Sequence, residues 1–162
     1  MIVIADSSPV IVLVNIGHIN LLPLLFDAIV IPSQVAGELL QVNRPAAVRD
    51  FISRPPYWLS IRTPLSSDAI EGLDAGETAA IQLAGEIKAD LLLMDELRGR
   101  KVAAERNIAI TGTIGVLELA ATRKLLDLKE AFEQVKQTDF WISPTLLDAR
   151  LKLFLKTDLG KR

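Results

Sequence analysis

Four short apolar runs, Ile2-Val3-Ile4, Ala28-Ile29-Val30-Ile31, Leu91-Leu92-Leu93-Met94 and Ile108-Ala109-Ile110, punctuate a chain whose other apolar positions recur at helical spacing. The runs are continuous rather than alternating, as in strands that are covered on both faces. Helix-start signals fill the intervals: Ser8-Pro9, Ser33 ahead of Val35 and Leu39, Asp74 ahead of Ala79 to Ala84, and Gly112 ahead of Val116 to Ala121. This alternation predicts an α/β domain with three α/β/α layers around a mainly parallel sheet. Trp58 to Ile61 and Phe140 to Ile142 are weaker strand candidates. The proline-bearing stretch from Asn43 to Ser67 reads as an irregular or helical excursion. A last helix is predicted from Ser143-Pro144, with Leu147, Leu151 and Phe154 on one stripe that suits either a core or an interface. No linker or repeat interrupts the chain, so residues 1–162 read as a single domain.

Composition narrows this picture. Half of the 162 residues are hydrophobic and only 5% are aromatic, so the core is built from Leu, Ile, Val and Ala, and disorder is excluded. There is no cysteine, which removes disulfides, thiolate metal sites and thiol nucleophiles. The early apolar stretch is broken by Asn15, His18, Asn20, Pro23 and Asp27, short of a membrane span. The start lacks the basic region of a signal peptide, and a cytoplasmic location is expected. With 18 basic and 20 acidic residues the formal charge is −2, which provides no broad basic field for nucleic acid. Any action on nucleic acid must come from a local site.

The residues directly after each strand suggest such a site. Ile2 to Ala5 ends in Asp6-Ser7-Ser8, Leu91 to Met94 in Asp95-Glu96, and Ile108 to Ile110 in Thr111-Gly112-Thr113. Open α/β sheets bind ligands at the carboxyl ends of their strands, where the strand order reverses. Glu38 lies a turn into the helix after Ile31-Pro32, and Glu77 opens the helix after Asp74. Taken singly, each acid has an ordinary explanation. Asp6 reads as a helix cap, although Ser8 is better placed for that role; Glu38 reads as a solvated helix residue, Asp74-Ala75-Gly76-Glu77 as a capping box, and Asp95-Glu96 as a turn pair. Together, four carboxylates about 5 Å apart at an effective dielectric near 20 would repel by roughly 3 kcal/mol per pair. A hard divalent cation, Mg²⁺ or Mn²⁺, resolves that repulsion with oxygen ligands; zinc would find no Cys and only His18. This is the chemistry of metal-dependent nucleases.

The segments Ile4-Ala5-Asp6-Ser7-Ser8-Pro9, Ile31-Pro32-Ser33-Gln34-Val35-Ala36-Gly37-Glu38-Leu39, Asp74-Ala75-Gly76-Glu77-Thr78-Ala79-Ala80-Ile81 and Leu92-Leu93-Met94-Asp95-Glu96 resemble, in order, the motifs of PIN-domain proteins. That ribonuclease family includes the VapC-type toxins of toxin–antitoxin pairs. Asp74 to Glu77, Asp95 to Arg100 and Thr111 to Val116 further resemble an uncharacterised prokaryotic branch described as predicted nucleic-acid-binding. The resemblance implies a PIN-like fold and metal-dependent endonucleolytic cleavage of single-stranded RNA. It places Asp6, Glu38, Glu77 and Asp95 as catalytic metal ligands, with Glu96 as an auxiliary ligand through water. Glu77 stands where the toxins usually carry Asp. Ser7 and Thr113 would bond the attacking water or the ligands. The resemblance also implies a homodimer and a small antitoxin.

Arg98, Arg100 and Lys101 come directly after Asp95-Glu96, and with Arg106 they form a candidate basic border for RNA phosphates, or else a solvated helix face. Tyr57 and Trp58 are the aromatics best placed to be exposed for base stacking and Trp141 reads as core, with core packing the default for all three; His18 reads as structural. A receiver or haloacid-type phosphatase is disfavoured because Ser7-Ser8, not further acids, follow Asp6. The stronger rival is a PIN-like module that acts mainly by binding RNA or protein.

Overall fold

The structure, a computed structural model, describes residues 1–66 and 68–160; Ser67, the last residue of the proline-bearing stretch, lies outside them. Contacts divide the chain into two compact units, Met1–Thr113 and Ile114–Arg162.

The first unit contains β1 (Ile2–Ala5), α1 (Ser7–Asn15), α2 (Leu21–Leu25), β2 (Ala28–Pro32), α3 (Ser33–Leu39), α4 (Ala46–Ser53), β3 (Leu59–Arg62), α5 (Ala75–Glu86), β4 (Leu91–Leu93), α6 (Leu97–Glu105) and β5 (Ile110–Thr111). The strands form one all-parallel sheet in the order β3-β2-β1-β4-β5. Ile4, Val30 and Leu92 on one face pack with Ile81 and Leu83 of α5 and Val102 of α6. Val3, Ala5, Ile29, Ile31 and Leu93 are buried as well, so both faces are covered. Burial on both sides explains the unbroken apolar runs, and the α/β architecture with a parallel sheet is the one expected from them.

Two strands differ in detail from the sequence reading. The strand expected at Ile108 to Ile110 is reduced to Ile110–Thr111. Asn107, at φ 61°, closes α6, and Ile108 donates its N–H to Ala103 O at 3.0 Å, so it is used to finish the helix. The strand expected at Phe140 to Ile142 is absent. That segment falls in the second unit, where the described residues include no strand to pair with, and an unpaired strand leaves its backbone unsatisfied.

The second unit carries most of α7 (Thr113–Thr122), then α8 (Leu128–Lys136) and α9 (Pro144–Gly160). Leu147 of the α9 stripe is fully buried, and Leu151 and Phe154 are half-buried. That stripe therefore faces inward, while Leu146, Leu153 and Leu155 are exposed. Trp141, expected in the core, is 91% exposed, and Tyr57 is 99% exposed. Trp58 comes closer to the expectation: it is half-buried against Phe51, with ring centroids 6.0 Å apart. Among the described residues, no helix is long and apolar enough to cross a membrane.

Candidate active site at the strand switch point

The sheet order reverses between β1 and β4, and both strands end there in an aspartate. Asp6 donates its N–H to Leu93 O at 3.0 Å, which ties the end of β1 to β4. Met94 likewise donates to Thr111 O at 2.9 Å, tying β4 to β5. The residues after three adjacent strands are thereby held on one rim, the place where open parallel sheets bind ligands.

Asp95 is fully engaged there. Its Oδ1 accepts from Thr113 N at 2.7 Å, and its Oδ2 accepts from Thr113 Oγ1 at 2.6 Å and Ser8 Oγ at 2.9 Å. Thr113 is completely buried, so this carboxylate is fixed from below. Gly112 makes the approach possible: a Cβ there would lie 2.6 Å from Asp95 Oδ1 and 2.9 Å from Arg100 Nη1. Ser8 thus serves Asp95 and not the helix start.

Asp6 is treated differently. It occupies the N-cap position of α1 but makes no side-chain capping bond, and it is only 4% exposed. Its Oδ1 is buried with no hydrogen-bond partner among the described residues. Burial pushes its pKa up to about 7, opposed by the Ser7 N–H and reinforced by the charges of Glu38, Asp74 and Asp95.

Glu38 and Glu77 approach from the helices. The Glu38 carboxylate lies against Gly76, where any Cβ would overlap it; this contact lets α3 and α5 meet closely. Burial and Asp74 raise the Glu38 pKa, while hydrogen bonds from the Ser7 hydroxyl and Gly76 N–H and the charge of Arg44 oppose the rise. Glu77 donates its N–H to Asp74 Oδ1 at 2.8 Å, which is half of the capping box. Its side chain does not complete the box. Glu77 Oε2 is buried and unpartnered among the described residues, and its pKa is pushed up to about 8 by burial, then by its hydrogen bond with the Asp74 carboxyl and by the charges of Asp74, Asp6 and Glu96.

Asp74 is therefore a fifth acid of the cluster, which sequence reasoning treats only as a cap. Its position in Asp74-Ala75-Gly76-Glu77 is the available signal. Glu96 plays a structural part, since its carboxylate accepts from Arg98 N at 3.0 Å and Gly99 N at 2.6 Å, capping α6. Glu96 still contributes repulsion to Glu77.

The basic border separates into different roles. Arg98 lies over Gly72 and donates to Glu71 O at 3.4 Å, and Arg106 donates to Gln82 Oε1 at 3.3 Å; both reach back onto the protein. Arg100 sits beside Gly112 and Asp95, and Lys101 is exposed. The cation beside Glu38 is Arg44, which donates Nε to Glu38 O at 3.4 Å and which the sequence does not single out. No local signal marks it, since its proximity comes from the turn after α3. His18 is half-buried in the turn after α1.

Two oxygens aimed inward without partners, among acids that neutralise themselves only by holding protons, suit a divalent cation in donor type and charge. The distances are not yet those of a closed site: among the described residues no three His, Asp or Glu side chains form a ready-made metal group. The residues thus fit a cation in charge and donor type.

A parallel α/β sheet with an acid cluster at its switch point defines an open-sheet α/β protein whose candidate site lies at the carboxyl ends of the strands. More particularly, the chain belongs to the DUF3368 family of PIN domains, whose model matches residues 2–156. PIN domains are generally nucleases and typically use divalent metal ions. Among solved structures, a PilT N-terminus domain protein from the archaeon Sulfolobus solfataricus P2 is similar at 13% identity, over 88% of this chain and 100% of that one, with a TM-score of 0.49. No curated protein matches the chain.

Proposed function

We propose that this protein is a Mg²⁺- or Mn²⁺-dependent endoribonuclease that cleaves single-stranded RNA and acts as the toxin of a toxin–antitoxin pair. The observation that carries the enzymatic reading is the pair of buried, unpartnered carboxylate oxygens, Asp6 Oδ1 and Glu77 Oε2, within an acid cluster at the strand switch point. Asp6 and Glu77 would hold the ion, with Glu38, Asp74 and Asp95 closing around it. When bound, the cation supplies positive charge against the phosphodiester and acidifies water.

The chain's own residues do the rest. Ser8 and Thr113 hold Asp95 in one orientation, and Ser7 does the same for Glu38. Burial raises the Glu77 pKa to about 8, and its carboxyl would exchange that proton for a bound cation. Arg44 on the Glu38 side and Arg100 on the Asp95 side flank the cluster and would position RNA phosphates, with Lys101 outside them. A homodimer and a small antitoxin would use the exposed leucines Leu146 and Leu153 of α9, and a cytoplasmic setting suits such a pair.

The deciding experiment incubates purified protein with structured and unstructured RNAs, with Mn²⁺, with Mg²⁺ and with EDTA, beside an Asp6→Asn variant. Internal cleavage of unstructured RNA that needs metal and Asp6 is expected. Cleavage by the variant at the wild-type rate, or cleavage indifferent to EDTA, would refute the proposal.

A further inference from the structure

A cavity of about 310 Å³ lies between α3, the loop from β3 to α5, and the start of α5. Gln34 stands on the α3 side, Ser66 and Ala69 on the loop, and Asp74, Thr78 and Ala79 at α5. Gln34 precedes Glu38 by four residues, and Thr78 follows Asp74 by four. Gln34 is therefore about one turn, roughly 5.4 Å, from Glu38, and Asp74, itself an acid of the cluster, lines the cavity at the start of α5.

Its outer wall is tied down. Glu86 accepts from Leu65 N at 2.9 Å and Ser66 N at 2.8 Å, and Gln82 Nε2 donates to Asp68 O at 3.1 Å. The facing helices are drawn together where Glu38 meets Gly76. The resulting space is lined by methyl groups, two hydroxyls and one amide, and Asp74 is the sole charged side chain lining it among the described residues. Gln34 Oε1 accepts from Ser33 Oγ at 3.1 Å, and its Nε2 makes no hydrogen bond among the described residues. Such a lining does not suit a phosphate. It suits a neutral planar group with donors and acceptors on its edge, held one turn from where the charged backbone of the same strand would meet the acids. The volume is at the small end of ligand cavities and is large enough for one base.

We propose that this cavity is a nucleobase subsite, which takes the base next to the phosphodiester at the acid cluster and discriminates among bases through the Gln34 amide. Glutamine reads a base by donating and accepting on one edge, and single-stranded RNA leaves that edge free. The proposal rests on the ribonuclease reading above.

Two measurements test it. In the first, wild type, Gln34→Ala and Ala69→Trp cleave a randomised single-stranded RNA pool with Mn²⁺, and the cut ends are sequenced. Wild type is expected to prefer a base at one position flanking the cut by roughly tenfold, and both variants are expected to flatten the profile at that position. A uniform wild-type profile, or the same preference in both variants, overturns the proposal. In the second, the four nucleoside 5′-monophosphates are titrated into Asp6→Asn protein while the Gln34 side-chain amide is followed by NMR. Base-dependent shifts that disappear when Ala69→Trp is added support the subsite; no shifts, or shifts unaffected by that change, overturn it. If wild type cleaves no RNA while those shifts occur, the ribonuclease reading fails and the base subsite stands.

Discussion

Asp6 and Asp95 end adjacent, hydrogen-bonded strands of one sheet, yet Asp95 accepts three hydrogen bonds while Asp6 keeps a buried oxygen with none among the described residues. Three donors give a carboxylate hydrogen bonds in place of water. Burial destabilises the Asp6 anion more than the Ser7 N–H offsets, and its pKa rises to about 7. The same residue type thus provides a fixed point at one strand end and an unsatisfied carboxylate oxygen at the other. The difference lies beyond the strand ends: Asp95 meets the Thr113 N–H and hydroxyl across the rim, whereas Asp6 faces the charges of Glu38 and Asp74.

The largest expected effect comes from removing the unsatisfied member. Asp6→Asn should reduce RNA cleavage by more than the roughly 10–100-fold typical for residues that only orient a metal ligand. The same change should raise the melting temperature of the cation-free protein at pH 8, because it replaces a buried anion with a neutral amide. Equal activity, or a lower melting temperature at pH 8, would break the contrast. Next is the anchored member. Thr113→Val removes a charge-assisted hydrogen bond from a fully buried position and should cost about 1.5–3 kcal/mol in denaturant unfolding, with a roughly 10–100-fold loss of activity. Retention of both quantities would show that Asp95 needs no anchoring.

The raised carboxyl groups make a pH prediction. Unfolded Asp and Glu titrate at about 4, whereas folded Asp6 and Glu77 titrate at about 7 and about 8, with Glu38 raised too. Between those values the folded chain holds protons that the unfolded chain has released. Stability without cation should therefore be fully present below about pH 4 and fall as pH rises from there through 7 to 8. Mn²⁺ at 100 times its dissociation constant should add about 2.7 kcal/mol, most clearly at the alkaline end, where no proton must be displaced. Melting curves from pH 5 to 9 with and without Mn²⁺ would check both; a cation-free stability that rises with pH would reverse the assignment. The smallest effect separates the arginines. Arg100→Ala should weaken RNA binding and lower its salt slope by about 1, while Arg98→Ala, which loses a contact to Glu71, should leave that slope unchanged. Binding isotherms at several salt concentrations distinguish the two.

Much of the sheet and its rim is legible in the residues alone. The continuous apolar runs require a covered parallel sheet, and an aspartate directly after such a run has to stand at its carboxyl rim. The acid positions Asp6, Glu38, Glu77 and Asp95 are candidates on that placement. Asp74 reads as a cap because its local pattern is a capping pattern, and the cap does form. That its carboxyl also meets Glu77 depends on a rotamer choice, about which sequence is silent. Ser8 reads as a cap because serine before proline commonly starts a helix, but a hydroxyl goes to the strongest acceptor in reach, here the Asp95 carboxylate. Trp141 is expected in the core from its size, yet burial requires a neighbouring surface to receive the ring, and none is fixed by local sequence.

Local pattern is enough for the sheet and for the acids that follow its strands, because periodicity and strand ends are local properties of the chain. Which carboxylates are satisfied, and that Asp74 and Arg44 join them, follows from how the chain folds. Of the hydrogen-bond partners of Asp95, Thr113 lies 18 residues away and Ser8 lies 87 away. Whether a buried charge finds such a partner depends on distances that no local pattern encodes.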